Sequence, residues 1–388
     1  MNNPVVIFAS NQEPATSQVA GILLSFIQAM DRAGIIVDET YAGYVPDNAT
    51  VISFNYCKRN QQVPRRLCES PRFMTWLIDE VMWRPGKDHN DLIVGYCTQF
   101  QGLMDQKRLV MSTCPVGDPS PEKLDIKPSF DLALTMNGRG YPPEAYIKQD
   151  HLQEMFKRAG VDIKLIYNLH DRLKNTYQQG KKVTGHDAFE EFIKEDIELY
   201  EQLERISKAA RYWLVNIILY WGLNDCFYRR SVVDWLLELG IDFKIAGDTW
   251  EWLGSQSVGH ISDPRQLRRF LASARAGVHL NSLECYHRRV WEISLAGRPC
   301  IARGASLPGR VDPLDPEEYA LWQLAEIQRF LMYVENGYTK LEDNPVSNSL
   351  PSARGFDTKE ELLNLVNEIA LGCFCIYQSK LKNHFRIQ

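Results

Sequence analysis

The chain lacks an apolar run long enough to cross a membrane. Its longest apolar stretches, such as Trp213–Leu223, fall short of the roughly 18 residues that a membrane span needs. The amino terminus, Met1-Asn2-Asn3-Pro4, has no basic region followed by an apolar one, so we expect no secretory signal. We therefore expect a cytoplasmic protein without a transmembrane segment, whose membrane contacts, if any, are peripheral.

The chain also lacks a disulfide framework and an excess of basic charge. Its nine cysteines have no metal-ligand spacing, and their scatter is typical of free thiols in a reducing compartment. The balance of 44 basic and 49 acidic side chains gives no electrostatic reason to expect nonspecific nucleic-acid binding. No D-x-D-like pair of carboxylates stands at a predicted strand end, so we expect no obligatory metal ion.

The length and composition are those of a globular protein with two domains. At 388 residues the chain is too long for one ordinary core and suits two domains of about 150 to 200 residues each. The hydrophobic content of 45% and the charged content of 24% are typical of a soluble protein.

The first part of the chain alternates predicted strands with predicted helices. Val5–Ala9 is a continuous apolar run, which is typical of a strand buried on both faces of a parallel sheet. Ser17–Ala33 has helical spacing, and Thr50–Phe54 is predicted as a further strand. This alternation is the pattern of a doubly wound sheet. It continues through Phe130–Thr135, and we predict that the first domain spans residues 1–145.

One candidate for a chemical role lies at the end of a predicted strand in this domain. Arg72–Glu80 is strand-like, and Asp79 stands at its carboxyl end. A carboxylate in that position is suited to act as a general base, but aspartate is also a common helix N-cap. Both interpretations of Asp79 stay open. The first loop, residues 11–14, has no glycine fingerprint, so we do not expect a dinucleotide at the first turn.

A helical segment separates this domain from a second alternating unit. Residues 146–211 have long charged helical patterns and are predicted as a connector or insertion. Tyr212–Trp221 is predicted as an apolar strand that ends at Gly222, and residues 212–357 are predicted as the second doubly wound domain. Residues 358–388 are predicted to contain a final helix that packs back on the first domain.

The second domain contains the stretch with the most chemistry, residues 281–302. Glu284 and Glu292 lie eight positions apart, with Arg288 and Arg289 between them. A short apolar strand precedes Glu284 and a helix is predicted around Glu292, so Glu284 falls in a loop at the carboxyl end of a strand. Ligands of open α/β sheets bind in that crevice. Helix amides there bind phosphate, and carboxylates there accept hydrogen bonds from sugar hydroxyls. The pattern therefore suggests a nucleotide-sugar site.

Arginines are suited to hold the diphosphate of such a ligand, because a guanidinium fork matches phosphate oxygens. Arg229 and Arg230 stand at the start of the first predicted helix of the second domain. In the motif itself, Glu292 is suited to accept two ribose hydroxyls and Glu284 is placed for the sugar.

These residues carry a resemblance to a known family. Glu284 and Glu292, followed by Gly297-Arg298-Pro299, resemble the E-x7-E donor motif of GT-B glycosyltransferases. More narrowly, residues 213–303 are similar to the CgeB-like, spore-maturation-type branch of glycosyltransferase group one. The positions that carry this similarity are Arg230, Leu236, Leu239, Gly240, Ala246, Gly247, Gly259, His260, Ile261, Arg289, Glu292 and Gly297. Where the family has Gly-Phe-Gly after the first glutamate, this chain has Cys285-Tyr286-His287.

The resemblance implies an α/β, GT-B-like fold in which two doubly wound, Rossmann-like domains face a central cleft, with a helical connector. It implies transfer of a sugar from a UDP- or GDP-sugar to an acceptor hydroxyl, with no obligatory cofactor. By position, Glu292 would hold the ribose, Glu284 the sugar and Arg230 the phosphates. The acceptor, which could be a glycan, a small molecule, a protein or a nucleic acid, stays open, and so does retaining or inverting stereochemistry.

The candidate site follows from the motif and the resemblance together. Its catalytic candidates are Glu284 and Asp79, and its donor-binding candidates are Gly222, Arg229, Arg230, Gly259, His260, Asn281, His287, Arg289 and Glu292. For His260 and His287 a structural role is the alternative to ligand binding. Two other functions stay open: a nucleotide-sugar epimerase or hydrolase on the same fold, and a catalytically inactive nucleotide-sugar-binding or scaffold protein.

Overall fold

The computed structural model describes residues 3–371 with several gaps. These gaps are residues 12–13, 57, 59–60, 79–91, 96–108, 112–114, 123, 137–142, 283–286, 305–314 and 338–351. The described chain is α/β and divides into two compact units, each built on one parallel sheet. The first unit comprises Met1–Asp125, Cys285–Gly297 and Pro308–Ser352, and the second comprises Ile126–Glu284, Arg298–Leu307 and Ala353–Gln388.

The helices follow one another along the chain as follows. They are α1 (Pro14–Ala29), α2 (Arg65–Cys68), α3 (Pro143–Ile147), α4 (Asp150–Ala159), α5 (Ile163–Gln178), α6 (His186–Lys194), α7 (Ile197–Glu204), α8 (Lys208–Tyr212), a π-helix (Trp213–Asn224), α9 (Asp225–Glu238), a 3₁₀ helix (Glu251–Gln256), α10 (Pro264–Ala272), α11 (Arg288–Leu295), α12 (Pro316–Glu335) and α13 (Lys359–Ala370). None of the described helices is both long enough and apolar enough to cross a membrane.

The sheet of the first unit is parallel throughout its described strands. These are β1 (Val5–Phe8), β2 (Gly34–Val37), β3 (Thr50–Phe54), β4 (Phe73–Trp76), β5 (Leu92–Gly95) and β6 (Leu109–Met111). They lie in the order β2-β1-β3-β4-β5-β6. The predicted apolar runs at β1 and β3 are fully buried, as strands covered on both faces should be. The strand order reverses between β1 and β3, which is the flavodoxin-like arrangement.

Helix α12 packs against this first sheet. Phe330 meets Trp76 of β4 edge to face, with ring centroids 5.6 Å apart. Near the end of the same helix, Glu335 accepts two hydrogen bonds from Arg32, at 2.6 Å and 3.2 Å. Both charged side chains are largely buried. Their two hydrogen bonds add a geometrically specific contact to the apolar packing of α12.

The sheet of the second unit has the strand order of a Rossmann fold. Its strands are β7 (Phe130–Thr135), β8 (Phe243–Ala246), β9 (Ser257–Gly259), β10 (Ala274–His279), β11 (Cys300–Arg303) and β12 (Ala353–Phe356). They lie in the order β12-β11-β10-β7-β8-β9, and all are parallel. The chain runs outward in one direction from β7 through β9 and in the other from β10 through β12. The switch point therefore lies between β7 and β10.

Strand β7 corrects the predicted end of the first domain at residue 145. Leu132 pairs with Ala276 of β10, and Leu134 pairs with Ile245 of β8. The strand is therefore central in the second sheet, and the helices of residues 146–211 follow it within the second unit rather than separating two domains. A buried parallel strand is apolar whichever sheet it joins, so its sequence does not identify its partners.

The predicted strand at Tyr212–Trp221 is also wrong. Its residues lie at the end of α8 and in the π-helix, which continues into α9 without a break. The buried side chains of Leu214, Ile218, Leu219 and Leu223 recur at intervals that suit a wide helix. A short apolar run does not reveal by its period whether it is a buried strand or a buried helix. Most π-helices are single-turn bulges, and they are frequent at functional sites. The residues around this longer π-helix are therefore candidates for a functional site.

Helix α13 packs within the second unit, whereas the sequence predicted a final helix against the first domain. It contacts β10 and β12, and Arg354 of β12 forms an ion pair with Glu368. A capping box between Thr358 and Glu361 begins the helix, in accord with the polar residues there. Residues 372–388, the rest of the predicted segment, lie outside the described residues.

Candidate functional site

The switch point of the second sheet is the natural place for a ligand of this unit. The carboxyl ends of β7 and β10 are neighbours there, and in open α/β sheets the crevice outside those ends holds the ligand. Thr135 is the last residue of β7, and His279 is the last residue of β10. Asn281 and Ser282 follow two and three residues after the end of β10, at the start of the stretch that contains Glu284 and Glu292.

Two hydroxyl groups at this switch point are buried and unpaired. Thr135 is 8% exposed and Ser282 is fully buried. Within the described part of the chain, neither hydroxyl has a hydrogen-bond partner. Leaving a buried hydroxyl unpaired costs about 1 to 3 kcal/mol, so proteins seldom keep such groups without a use for them. Two of them at a switch point are suited to hydrogen-bond a polar ligand.

Tyr220 of the π-helix fixes the backbone beside these hydroxyls. Its hydroxyl donates to the carbonyl oxygen of Ser282 at 3.1 Å and accepts from the backbone amide of Gly185 at 2.9 Å. Burial raises the pKa of Tyr220, which keeps the phenol protonated and able to donate. The hydrogen bond from Tyr220 thus fixes the backbone of Ser282, and the hydroxyl of Ser282 remains able to hydrogen-bond a ligand.

The two arginines predicted to bind phosphate are engaged by neighbouring side chains. The Nε of Arg229 lies 2.9 Å from Oδ2 of Asp225, a fully buried carboxylate one turn earlier in α9. The Nε of Arg230 donates to Asp234 at 2.7 Å, and its guanidinium lies 3.8 Å from the ring centroid of Trp252. Both arginines are therefore oriented within the second unit, Arg230 against a partly exposed indole.

The expected helix start beside these arginines is absent from the described structure. The residue before α9, Asn224, has helical backbone angles because the π-helix runs directly into α9. An uninterrupted helix has its amides paired along the axis, and only a free amino-terminal turn offers them to a phosphate. The predicted arrangement of Arg229 and Arg230 at a helix amino terminus is therefore wrong.

Gly222 lies inside the π-helix, and the side chain of Tyr146 packs closely against it. An ideal Cβ at this position would lie 1.8 Å from the hydroxyl oxygen of Tyr146. That hydroxyl donates to the carbonyl oxygen of Ile218 at 3.2 Å. The glycine is thus needed for the close approach of Tyr146, and the strand end predicted at Gly222 is not formed.

Gly259 and His260 lie at the outer strand of the second sheet. Gly259 has a φ of +72°, and its carbonyl oxygen accepts from the amide of Gly247 at the end of β8, at 2.8 Å. His260 is exposed, with Nδ1 3.6 Å from Oδ2 of Asp248. These two residues are at the carboxyl edge of β9. The switch point is two strands away, because β8 lies between β9 and β7.

The donor-binding candidates Arg289 and Glu292 lie on α11, with His287 just before it, and this segment belongs to the first unit. His287 caps this helix by accepting from the amide of Arg289 at 3.3 Å. Arg289 donates to Oε2 of Glu292, and Nε of Arg288 lies 3.7 Å from Oε1 of the same carboxylate. Arg288 also donates to Gln18 of α1 at 2.8 Å. Glu292 is thus a largely buried carboxylate held between two arginines.

Both predicted catalytic carboxylates, Glu284 and Asp79, lie outside the described residues. Among the residues that are described, no three His, Cys, Asp or Glu side chains form a group that could hold a metal ion.

Thr135 and Ser282 were not among the residues predicted from the sequence. Thr135 ends an apolar strand at its carboxyl end, which is a usable signal once the strand is assigned to its sheet. The strand order adds one more feature. Because β7 is the first strand of the second sheet, the sequence Asn137-Gly138-Arg139-Gly140 takes the place after the first strand where a glycine-rich phosphate loop is expected. These four residues lie outside the described residues.

Comparison with known proteins adds no relative: no protein-family model matches the chain, and no curated protein matches it significantly.

Proposed function

We propose that this protein is a GT-B-like glycosyltransferase that moves a sugar from a UDP- or GDP-sugar to an acceptor hydroxyl. The observation that carries the proposal is the pair of buried, unpaired hydroxyls of Thr135 and Ser282 at the switch point of a Rossmann-ordered sheet. Nucleotides bind at such switch points in α/β proteins. Hydroxyls placed there would donate to the diphosphate or to the ribose of the donor.

The role proposed for α11 comes from the resemblance and is supported by its geometry. Arg289 holds the carboxylate of Glu292 in one orientation, with Arg288 beside it. A carboxylate has four acceptor sites, so one that is held by arginines still accepts from two ribose hydroxyls. Under the proposal, Glu292 accepts hydrogen bonds from the ribose hydroxyls of the donor, and the arginines keep that carboxylate oriented.

The proposed reaction uses no obligatory metal ion. Electrostatic stabilisation of the leaving diphosphate would come from arginine and from hydroxyl and amide donors. The general base that receives the acceptor proton would be a carboxylate, with Asp79 and Glu284 as the candidates from the sequence. We also propose a cytoplasmic location, because a protein there would have access to nucleotide sugars.

Donor binding and turnover test the proposal separately. Isothermal titration calorimetry with UDP-glucose, UDP-N-acetylglucosamine and GDP-mannose should identify a donor that the wild-type chain binds. Thr135→Val and Ser282→Ala should each weaken that binding by about tenfold, as expected for one lost hydrogen bond near 1.4 kcal/mol. Ser129→Ala is the matched control. Ser129 precedes β7 at the opposite edge of the sheet, where its hydroxyl bonds to Ser273, and its variant should bind as the wild type does.

Turnover separates the competing functions. Release of nucleoside diphosphate that requires an added acceptor supports a transferase, and it should be lost in Glu292→Gln. Consumption of the donor without an acceptor indicates an epimerase or hydrolase. Binding without turnover indicates an inactive nucleotide-sugar-binding protein. Failure of every donor to bind would end all three ideas.

A further inference from the structure

Arg303 is a buried arginine at the carboxyl end of β11, next to β10 in the second sheet. Its side chain takes no part in the site described above, and the residue is only 2% exposed. Aromatic rings surround its guanidinium, with ring centroids 4.6 Å away at Tyr228, 4.8 Å at Trp235 and 5.5 Å at Tyr177. This cage holds the plane of the guanidinium in place.

The hydrogen bonds of Arg303 use only one of its nitrogens. Nη1 donates to the carbonyl oxygen of Tyr228 at 2.5 Å and to the hydroxyl of Ser231 at 2.7 Å. Nε and Nη2 are buried and have no partner among the described residues. These two nitrogens point their N–H groups along the same side of the guanidinium. They form the fork that matches two oxygens of one phosphate or carboxylate.

Arg298, five residues earlier, shows what a structural arginine looks like in the same unit. Its Nε donates to the carbonyl oxygen of Ala272 at 2.9 Å, and its Nη2 donates to the same oxygen at 2.6 Å and to that of Ile126 at 2.5 Å. The Nε and Nη2 edge of Arg298 is therefore satisfied by the backbone. The equivalent edge of Arg303 has no partner among the described residues, so packing within the second unit does not account for that edge.

The buried charge of Arg303 is a second reason to expect an anion at its free edge. Burial lowers the pKa of Arg303, as it does for any cation removed from water, yet an arginine keeps its charge in a protein. Within the described residues no carboxylate forms an ion pair with it. The carboxylate that most raises its pKa, Asp357, is paired with Lys182 at 2.7 Å. A buried cation without its own counter-ion is costly, and an anion bound to the free fork would remove that cost.

We propose that Arg303 is an oxyanion subsite that takes a phosphoryl group through Nε and Nη2. Three observations converge on it: the caged guanidinium, the free fork edge and the position at the carboxyl end of a parallel strand, where ligands of such sheets bind. Phosphate suits the fork through two oxygens and neutralises the buried charge. The subsite is inferred without the proposed transfer reaction and stands or falls separately from it.

The sign of a stability change separates this subsite from a structural role. Arg303→Met removes an uncompensated buried cation and keeps its volume, so without phosphate the variant should melt roughly 3 °C above the wild type. A structural arginine behaves in the opposite way. Arg298→Met, the matched control, breaks satisfied hydrogen bonds and should lower the melting temperature.

The ligand is tested with inorganic phosphate, titrated against sodium chloride of equal ionic strength. The wild type and Arg298→Met should gain melting temperature with phosphate, and Arg303→Met should not respond. Arg303→Lys, which keeps the charge without the fork, should bind phosphate at least tenfold more weakly by calorimetry. A wild type that ignores phosphate, or an Arg303→Met protein that responds as the wild type does, overturns the subsite.

A parallel titration with UDP relates the subsite to the proposed donor site. UDP binding that is lost in Arg303→Met places the subsite within the donor site. Phosphate binding that requires Arg303, in a protein that binds no nucleotide sugar, supports the subsite while the transferase proposal fails.

Discussion

The hydroxyl of Tyr146 occupies the space that a side chain at Gly222 would need. An ideal Cβ on Gly222 would lie 1.8 Å from that oxygen and 2.3 Å from the ring carbon that bears it. Tyr146 belongs to α3 and Gly222 to the π-helix, so the contact joins two helices that lie far apart in the sequence. The glycine, predicted as part of a donor site, therefore has a packing role in the second unit.

The first prediction concerns this contact. Gly222→Ala should destabilise the second unit by roughly 1 to 3 kcal/mol, because the new methyl group overpacks against Tyr146. Thermal unfolding measures the loss. Gly21→Ala is the control: it lies in α1 with no atom near its would-be Cβ, and alanine there should stabilise by roughly 0.5 to 1 kcal/mol. Adding Tyr146→Ala should make the Gly222→Ala change milder. Equal losses with and without Tyr146 would contradict the contact.

Glu292 gives the second prediction. Glu292→Gln leaves Arg288 and Arg289 largely buried without their carboxylate, so the first unit should lose roughly 1 to 3 kcal/mol. Urea denaturation followed by tryptophan fluorescence measures this loss. Glu154→Gln, the same change in an exposed pair with Arg158, should stay within about 0.5 kcal/mol of the wild type. Similar effects for both variants would mean that Glu292 is an ordinary surface residue.

Two buried tyrosines predict how stability depends on alkaline pH. Burial raises the pKa of Tyr177 and of Tyr220 above their ordinary value of 10.0. Their contribution to stability is complete below that pH. It is lost as the pH rises further, because the unfolded chain releases its phenolic protons first. Each tyrosine should add about 1.4 kcal/mol per pH unit to the slope.

Denaturation midpoints between about pH 9 and 11 test this slope. Tyr220→Phe should flatten the slope, since one of the two titrating groups is gone. Tyr44→Phe is the control, because Tyr44 is 72% exposed and its phenol has no such burial. An unchanged slope in Tyr220→Phe would show that its hydroxyl does not remain protonated in the folded state.

We expect that replacing the buried Thr135 with valine stabilises the protein. Thr135→Val removes a buried, unpaired hydroxyl and keeps its shape, so the free protein should become more stable by about 1 kcal/mol. Thr50→Val is the matched control. Its hydroxyl, also buried in a parallel strand, donates to Glu335 at 3.3 Å, and its loss should destabilise. Thermal unfolding in ligand-free buffer compares the two. Destabilisation of both variants would show that the Thr135 hydroxyl is paired in solution.

Much of the local structure was predictable from the sequence. The apolar run at β1 is a buried strand, and Asp263 with Pro264 begins α10, with the aspartate accepting from the amide of Arg265 at 2.8 Å. Helix α11 spans Arg288–Leu295, with Gly297 at a positive φ of +75° just beyond it. These features depend on contacts a few residues apart, which is why local patterns predict them.

The candidate site was predictable only in part. The spacing of Arg289 and Glu292 permits the hydrogen bond between them, because residues three apart on a helix are neighbours. Both residues were predicted to bind the donor, however, and not to pair with each other. The buried hydroxyls of Thr135 and Ser282 were not foreseen. Their positions at and just beyond neighbouring strand ends depend on the pairing of β7 with β10, and those strands lie far apart in sequence.

The sequence by itself determined the α/β class, apolar strands such as β1, β3, β7 and β10, and the helix around Glu292. Those properties come from side-chain periodicity and short-range contacts. Only the tertiary structure decided that β7 begins the second sheet, that the run before α9 is a π-helix, and that Tyr146 fills the space at Gly222. Each of these depends on which distant segments meet, and burial makes such segments apolar in the same way whichever partner they find.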